Sequence, residues 1–316
     1  MSNPPARCSK KPASFSNWGA ASVITKLDVN SKNCCFDIDG DLTVDNAFAD
    51  VIRFLPGAMP DKEMRNAIIN DKLVAILEHQ GVSGQPPASP YPVNILRGEP
   101  ESARSKKFAE YTNGMLSETD GLGFFVHRAS FERGVHPNHL IPSVTHRGGR
   151  ITGGTGEFSV ETNATSLVLR TSLDLDVARI EATVATNRTA TRQGVALTDG
   201  RLGGYIELKS VFDGLDQSLR TCTCLGKPSD AITYTTPGPL DPDIGKAKCT
   251  PQVQKRVSKC TNSKRTICRE SGTICNFISA FANTSDIDAD CDGQLDSLSV
   301  GYEFRAASAE IVGTTK

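Results

Sequence analysis

Seven of the ten cysteines crowd between Cys222 and Cys291, and this constrains the chain more than any other feature. The others are Cys8 and the adjacent Cys34 and Cys35. An even total permits up to five disulfides, which form and persist in an oxidising compartment. No C-x-x-C pair occurs, the nearest being Cys222-Thr-Cys224, so zinc-ribbon, thioredoxin-like and c-type haem spacings are absent. The expected location is secreted, periplasmic or at the cell surface. The first twenty residues lack the apolar core of a signal peptide, so the chain is read as a mature or trimmed form. With 38% hydrophobic residues over 316 positions it can bury a real core, which excludes wholesale disorder. A net charge of −1 gives no global attraction to nucleic acid or anionic membrane. No apolar run reaches the roughly 18–20 residues of a membrane-spanning helix.

Hydrophobic periodicity divides the chain. Residues 1–30 are polar and Ser/Pro/Lys-rich and are expected to form a flexible lead-in, with Val23, Ile24 and Leu27 available for a short element. Phe48, Val51, Ile52 and Leu55 trace a helical stripe ended by Pro56-Gly57. A second helix is expected to be capped by Asp61, lined by Met64, Ile68, Leu73, Ile76 and Leu77, and closed by Gly81. From about residue 120 short β-like runs take over, separated by turn residues. Ile180, Ala182 and Val184 alternate with Glu181 and Thr183, and Leu298, Val300, Tyr302 and Phe304 alternate with Ser299, Gly301, Glu303 and Arg305. Leu208, Val211, Phe212, Leu215 and Leu219 have helical spacing, as do Ile274, Phe277, Ile278 and Phe281, whereas 226–245 reads as a surface loop.

The expected fold is mainly β (α+β): an antiparallel β-sandwich or jelly-roll-like core with accessory helices and a disulfide-rich C-terminal part. Its expected divisions are the lead-in 1–30, a metal loop with two helices over 31–92, the core over 93–225, and a cysteine-rich segment 226–316 packed on that core.

Two short acidic stretches carry the sharpest chemistry. In the first, Asp37, Asp39, Asp41 and Asp45 occupy relative positions 1, 3, 5 and 9, with Thr43 at position 7. In the second, Asp288, Asp290, Asp292 and Asp296 repeat that spacing, with Gly293 at position 6 and Gln294 at position 7. Val44 and Leu295 hold the same aliphatic place, and Asp286 precedes the second copy as a spare ligand. Acids on alternate positions of a tight loop turn inward around a hard cation, and position 7 adds a backbone carbonyl, the pattern that suits Ca²⁺ with its six to eight oxygen ligands. Two Ca²⁺ sites are expected.

Both stretches resemble the calcium loops of thrombospondin type 3 repeats, dockerin modules and EF-hands, and the DxDGDxxxDN form is similar to loops of many secreted bacterial proteins. The resemblance covers about ten residues twice. Position 12 holds Phe48 and Ser299 where a full EF-hand has a bidentate Glu, and Leu42 stands at position 6 of the first copy, which implies weak, structural binding. Phe36-Asp37-Ile38-Asp39-Gly40 also resembles the nucleophile motif of haloacid-dehalogenase-like phosphatases, which would make Asp37 the nucleophile and Asp39 the general acid/base. Against it, Asp41 follows Gly40 where that family has Thr, and polar Asn33 with Cys34-Cys35 precedes the motif in place of a long apolar strand.

Eight cations between Lys246 and Arg269, with no acid among them, suit an anionic polysaccharide. The stretch has no aromatic residue for base stacking, so specific nucleic-acid recognition is not expected. His127, His136, His139 and His146 lie within twenty residues and have the chemistry of a Zn²⁺ site, but the stretch contains no H-E-x-x-H. Neither a G-x-S-x-G elbow nor a P-loop is present. The expected function is an extracellular or cell-envelope calcium-binding, disulfide-stabilised structural or adhesive protein. It would assemble with itself, through the C-terminal strand, or meet a cell-surface or matrix partner. A phosphate-ester hydrolase and a carbohydrate-binding module are the alternatives.

Overall fold

The computed structural model describes residues 18–29, 34–44, 46–54, 60–83, 86–103, 105–108, 122–132, 136–160, 174–185, 194–235, 246–291 and 295–315. Its strands in chain order are β1 (Ala20–Asp28), β2 (Ala75–His79), β3 (Tyr91–Pro100), β4 (Gly123–Val126), β5 (Phe131–Glu132), β6 (His136–Pro137), β7 (His139–Arg147), β8 (Arg150–Ser159), β9 (Asp174–Ala185), β10 (Ala196–Glu207), β11 (Ile232–Thr235), β12 (Lys246–Cys249) and β13 (Ser297–Thr314). Helices α1 (Ala47–Phe54) and α2 (Pro60–Ile69) lie between β1 and β2.

Eight of these strands form a ring. Each of β1-β2-β3-β7-β8-β9-β10-β13 pairs antiparallel with the next, and β13 returns to β1 with Ala21 opposite Ala309 and Leu27 opposite Phe304. The molecule is thus a closed eight-stranded antiparallel barrel, and the expected sandwich or jelly roll is wrong. Sandwich and barrel strands share the same period-two alternation. They differ in whether the first strand meets the last, a contact between residues far apart in sequence that leaves no local signal. Closure also removes the sheet edges that would otherwise invite pairing with other chains. β13 has partners along its whole length, with β10 on one side and β1 followed by β4 on the other.

Alternation decides which way each strand faces. Along β9, Leu175, Ala178, Ile180 and Ala182 are buried while Asp174, Asp176, Arg179 and Glu181 reach outward. The inward rows of β10 and β13 continue this apolar lining with Leu202, Ile206, Val300, Tyr302 and Phe304. An eight-stranded ring leaves an interior just wide enough for such side chains to fill. Gly200 makes room for the Phe304 ring, which a Cβ there would meet at 2.6 Å. Apolar inside and charged outside is the reverse of a membrane-spanning barrel. Among the described residues no helix is long and apolar enough to cross a membrane.

On β1 to β3 both faces are largely buried, and α2 packs on β1 and buries Met64, Ala67 and Ile68. Three sequence expectations change here. β1 occupies part of the expected lead-in, and its residues 20–24 are all buried. The second helix stops at Ile69, and Ile76 and Leu77 belong to β2. Gly81, at φ +73°, serves the β2–β3 turn and not a helix end, while Asp61 accepts the Val29 backbone N–H at 2.7 Å. The barrel therefore draws on strands from both ends of the chain as well as from 93–225.

Between β10 and β13 the chain builds a lobe. The helix Leu208–Arg220 buries Val211, Phe212, Leu215 and Leu219, with the Phe212 ring against Tyr234 and Phe281 at 4.5 and 5.5 Å between centroids. Phe281 ends the helix Ser271–Phe281. The expected loop 226–245 contains strand β11, paired with β12. Disulfides Cys222–Cys268, Cys224–Cys260 and Cys249–Cys275 tie the lobe together.

Candidate metal centre

The first acidic loop is mounted on the outer barrel wall by a pair of bare positions. Gly203 and Gly301 face each other across β10 and β13. A Cβ on Gly301 would strike the Cys34 carbonyl, and one on Gly203 would come within 2.8 Å of the Phe36 ring. Segment 34–36 lies in this groove, and the Cys35 sulfur rests 3.2 Å from the Tyr302 carbonyl oxygen. One strand further along, Arg179 donates from Nη1 to the Asp37 carbonyl oxygen at 2.6 Å.

From that anchor the loop folds on its own carboxylates. Asp37 accepts the backbone N–H groups of Gly40 and Leu42 at 2.6 and 3.0 Å, Asp39 that of Asp41 at 3.0 Å, and Asp41 that of Thr43 at 2.6 Å. Carboxylate oxygens of Asp37, Asp39 and Asp41 lie within 4.8 Å of one another. Like charges this close repel unless a cation lies between them. Leu42 adopts φ +74°, the left-handed turn for which an EF-hand uses glycine at position 6, and its side chain is 94% exposed. Thr43 sits on the same loop. Asp45 lies outside the described residues.

In the second loop Cys291, at φ +62°, matches Gly40 in the first, at φ +87°, so both turn left-handed at position 4. Asp296 accepts the Ala289 N–H at 3.1 Å and the Ser297 hydroxyl at 3.0 Å, closing position 9 onto position 2. Asp288 and Asp290 lie within this turn. Asp292 and Gln294 lie outside the described residues, so three of the five expected ligands, Asp288, Asp290 and Asp296, have described positions.

Both loops are fastened to the same stretch of β13. Asn46, just after the first loop, donates from its side chain to the Gly301 carbonyl at 3.3 Å and accepts the Gly301 N–H at 3.2 Å. Ser299 Oγ accepts the Ala47 N–H at 2.9 Å and donates to Asp286, which also accepts the Ser299 N–H at 2.8 Å. This link between the loops is made by hydrogen bonds and not by a disulfide: Cys34 pairs with Cys35, and among the described residues Cys291 is free and exposed.

The four clustered histidines do not converge. His127 faces Glu99 at 3.8 Å, His139 faces Glu157 at 3.7 Å, and His146 donates from Nδ1 to the Pro86 carbonyl at 2.8 Å. Among the described residues, the three aspartates form the group of metal-ligating side chains close enough to share one ion. The phosphatase-like reading needs a repeating parallel α/β sheet, whereas the parallel pairing described here is confined to β4 with β13.

One polar constellation had no signal in the sequence. Inside the barrel, the Ser22 hydroxyl donates to the Val195 carbonyl at 2.6 Å, so its oxygen accepts from His79 Nε2 at 3.0 Å; His79 Nδ1 then accepts from the Tyr91 hydroxyl at 3.3 Å. Ser22 and His79 are fully buried and Tyr91 nearly so. Burial lowers the His79 pKa to about 3 and raises that of Tyr91. The direction of the chain leaves His79 Nε2 as a donor toward Ser22, so it cannot take the serine proton; the trio locks three strands without activating a nucleophile. In composition Ser22, His79 and Tyr91 were ordinary strand residues, and only the ring brings them together.

The fold and this loop define a closed up-and-down barrel carrying a disulfide-bonded lobe and an acidic cluster on its wall. Compared with protein families, curated proteins and solved structures, the chain finds no match in any of the three.

Proposed function

We propose that the protein is an extracellular or cell-envelope structural and adhesive module, a disulfide-stabilised barrel stapled by Ca²⁺ at its two acidic loops. The reading is carried by the convergence of Asp37, Asp39 and Asp41 on a loop already anchored to the barrel wall. Thr43 and Asp45 would complete the first site, and Asp288, Asp290, Asp292, Gln294 and Asp296 would hold the second. Three carboxylates on a turn with exposed backbone fit the flexible, oxygen-rich shell of Ca²⁺ better than the rigid octahedron of Mg²⁺. The disulfides suit an oxidising compartment.

Ion binding to the native state alone adds stability as RT ln(1 + c/Kd), where c is the free Ca²⁺ concentration, growing with the logarithm of c once it exceeds the dissociation constant. For dissociation constants of about 10⁻⁴–10⁻³ M, usual for extracellular modules, about 2 mM free Ca²⁺ contributes roughly 0.6–1.8 kcal/mol per site. Thermal melts of the non-reduced protein in Ca²⁺, in Mg²⁺ and in chelator test this, together with Asp39→Ala and Asp290→Ala. A Ca²⁺-selective rise in Tm that each variant reduces is the expected result. Equal melts in all three conditions, or a shift with Mg²⁺ alone, would sink the staple.

A further inference from the structure

We propose that the turn 220–227 of the lobe is the floor of a binding surface for an acidic polysaccharide. Six exposed cations surround this one turn. Arg220 and Lys227 stand at its two ends. Arg256 lies over Gly226, with its guanidinium carbon 2.8 Å from where a Cβ would be. Arg265 donates to the Thr221 hydroxyl at 2.8 Å and to the Thr221 carbonyl at 3.3 Å. Lys259 and Arg269 are brought in by the cross-links: Cys260 bonds to Cys224 and Cys268 to Cys222, each adjacent in sequence to one of these cations.

Two of the six have acidic neighbours, Arg220 with Asp216 at 3.5 Å and Arg269 with Glu270 at 3.6 Å. Lys227, Arg256, Lys259 and Arg265 form no ion pair among the described residues. Gathering them raises a mutual repulsion that an anionic ligand relieves. Two disulfides hold the backbone before the ligand arrives, so less conformational freedom is lost on binding. Guanidinium groups present paired donors to a carboxylate or sulfate. Neither the turn 220–227 nor the segment 251–270 contains an aromatic residue, so bases would find nothing to stack on. These features favour a linear carbohydrate bearing uronate or sulfate groups over a nucleic acid. The surface is independent of the acidic loops, and its binding should not require Ca²⁺.

The test is fluorescence anisotropy with the full, non-reduced chain and labelled heparin, polygalacturonate or a single-stranded oligonucleotide, each over a salt series in chelator. Affinity for one or both polysaccharides should fall steeply with salt. Arg256→Ala combined with Lys259→Ala should weaken it about tenfold at low salt and flatten the slope of log affinity against log salt by about one to two units. Lys62→Ala with Arg65→Ala, which removes the same charge from α2, should leave it unchanged. Preference for heparin assigns sulfate and preference for polygalacturonate assigns uronate. Absence of binding at the lowest salt, equal loss in the α2 variant, or tighter binding of the oligonucleotide would each overturn the proposal. Unchanged far-ultraviolet circular dichroism of the variants excludes misfolding as the cause of any loss.

Discussion

Acidifying the solution from pH 7 to pH 4 should cost the barrel about 3 kcal/mol through His79 alone. In the fold this imidazole is fully buried, donates to Ser22 and accepts from Tyr91, and desolvation holds its pKa down to about 3 against an ordinary 6.5. Between those values the unfolded chain takes up a proton that the folded chain refuses. Stability is thus complete above the unfolded pKa and falls as the pH drops toward the folded one. The interval from 6.5 to pH 4 spans about 2.5 units, each worth about 1.4 kcal/mol. Burial acts in the other direction on Glu78, Asp61 and Asp71, whose carboxyls are raised chiefly by desolvation. These groups take protons earlier in the fold than in the unfolded chain, so their contribution grows as the pH falls and partly masks that of His79. His79→Gln removes the titration while keeping an amide donor able to reach Ser22. Urea unfolding of both proteins at pH 7 and pH 4, with disulfides intact, gives the required difference. The variant should be the less stable at pH 7, and its deficit should shrink by about 3 kcal/mol at pH 4. Parallel losses in the two proteins, or a His79 ring resonance titrating near its ordinary pKa, would refute the reasoning.

Two further outcomes follow from the anchoring geometry and the cross-links. Gly301→Ala places a methyl against the Cys34 carbonyl; it should displace segment 34–36 and abolish the contribution of the first loop to the Ca²⁺ shift in Tm, while barrel circular dichroism persists. Replacing Cys249 and Cys275 together by Ala opens a disulfide with a sequence separation of 26, which by chain entropy should destabilise the lobe by about 3–4 kcal/mol. Protease nicking within 208–281 before any change in the barrel would show it, and unchanged resistance would count against the lobe's dependence on that bridge.

Legibility differed with the range of the interaction. The helix from Leu208 onward was readable because its buried stripe repeats every third or fourth residue and its partners need not be known. The second helix overran its end because Leu73, Ile76 and Leu77 continue an apolar pattern that serves either structure; the chain leaves the helix after Ile69, with Asp71 at φ +55°, and enters β2. The acid spacing of Asp37, Asp39 and Asp41 predicted a turn with converging carboxylates, and the geometry brings them together. Nothing local indicated the Gly203–Gly301 groove that seats this loop, since a glycine signals close approach without naming what approaches.

By itself the sequence determined the elements governed by neighbours: alternating strands, the stripe of the lobe helix, and the acidic turns that bond to their own backbone. It also placed seven of the ten cysteines in one crowded stretch, without their pairing. Ring closure, the hydrogen-bond chain of Ser22, His79 and Tyr91, the shared anchorage of both acidic loops on Ser299 and Gly301, and the cations gathered around one turn were decided by tertiary structure. Each depends on residues tens to hundreds of positions apart, and such contacts are selected by the packing of the whole chain, not by any local preference.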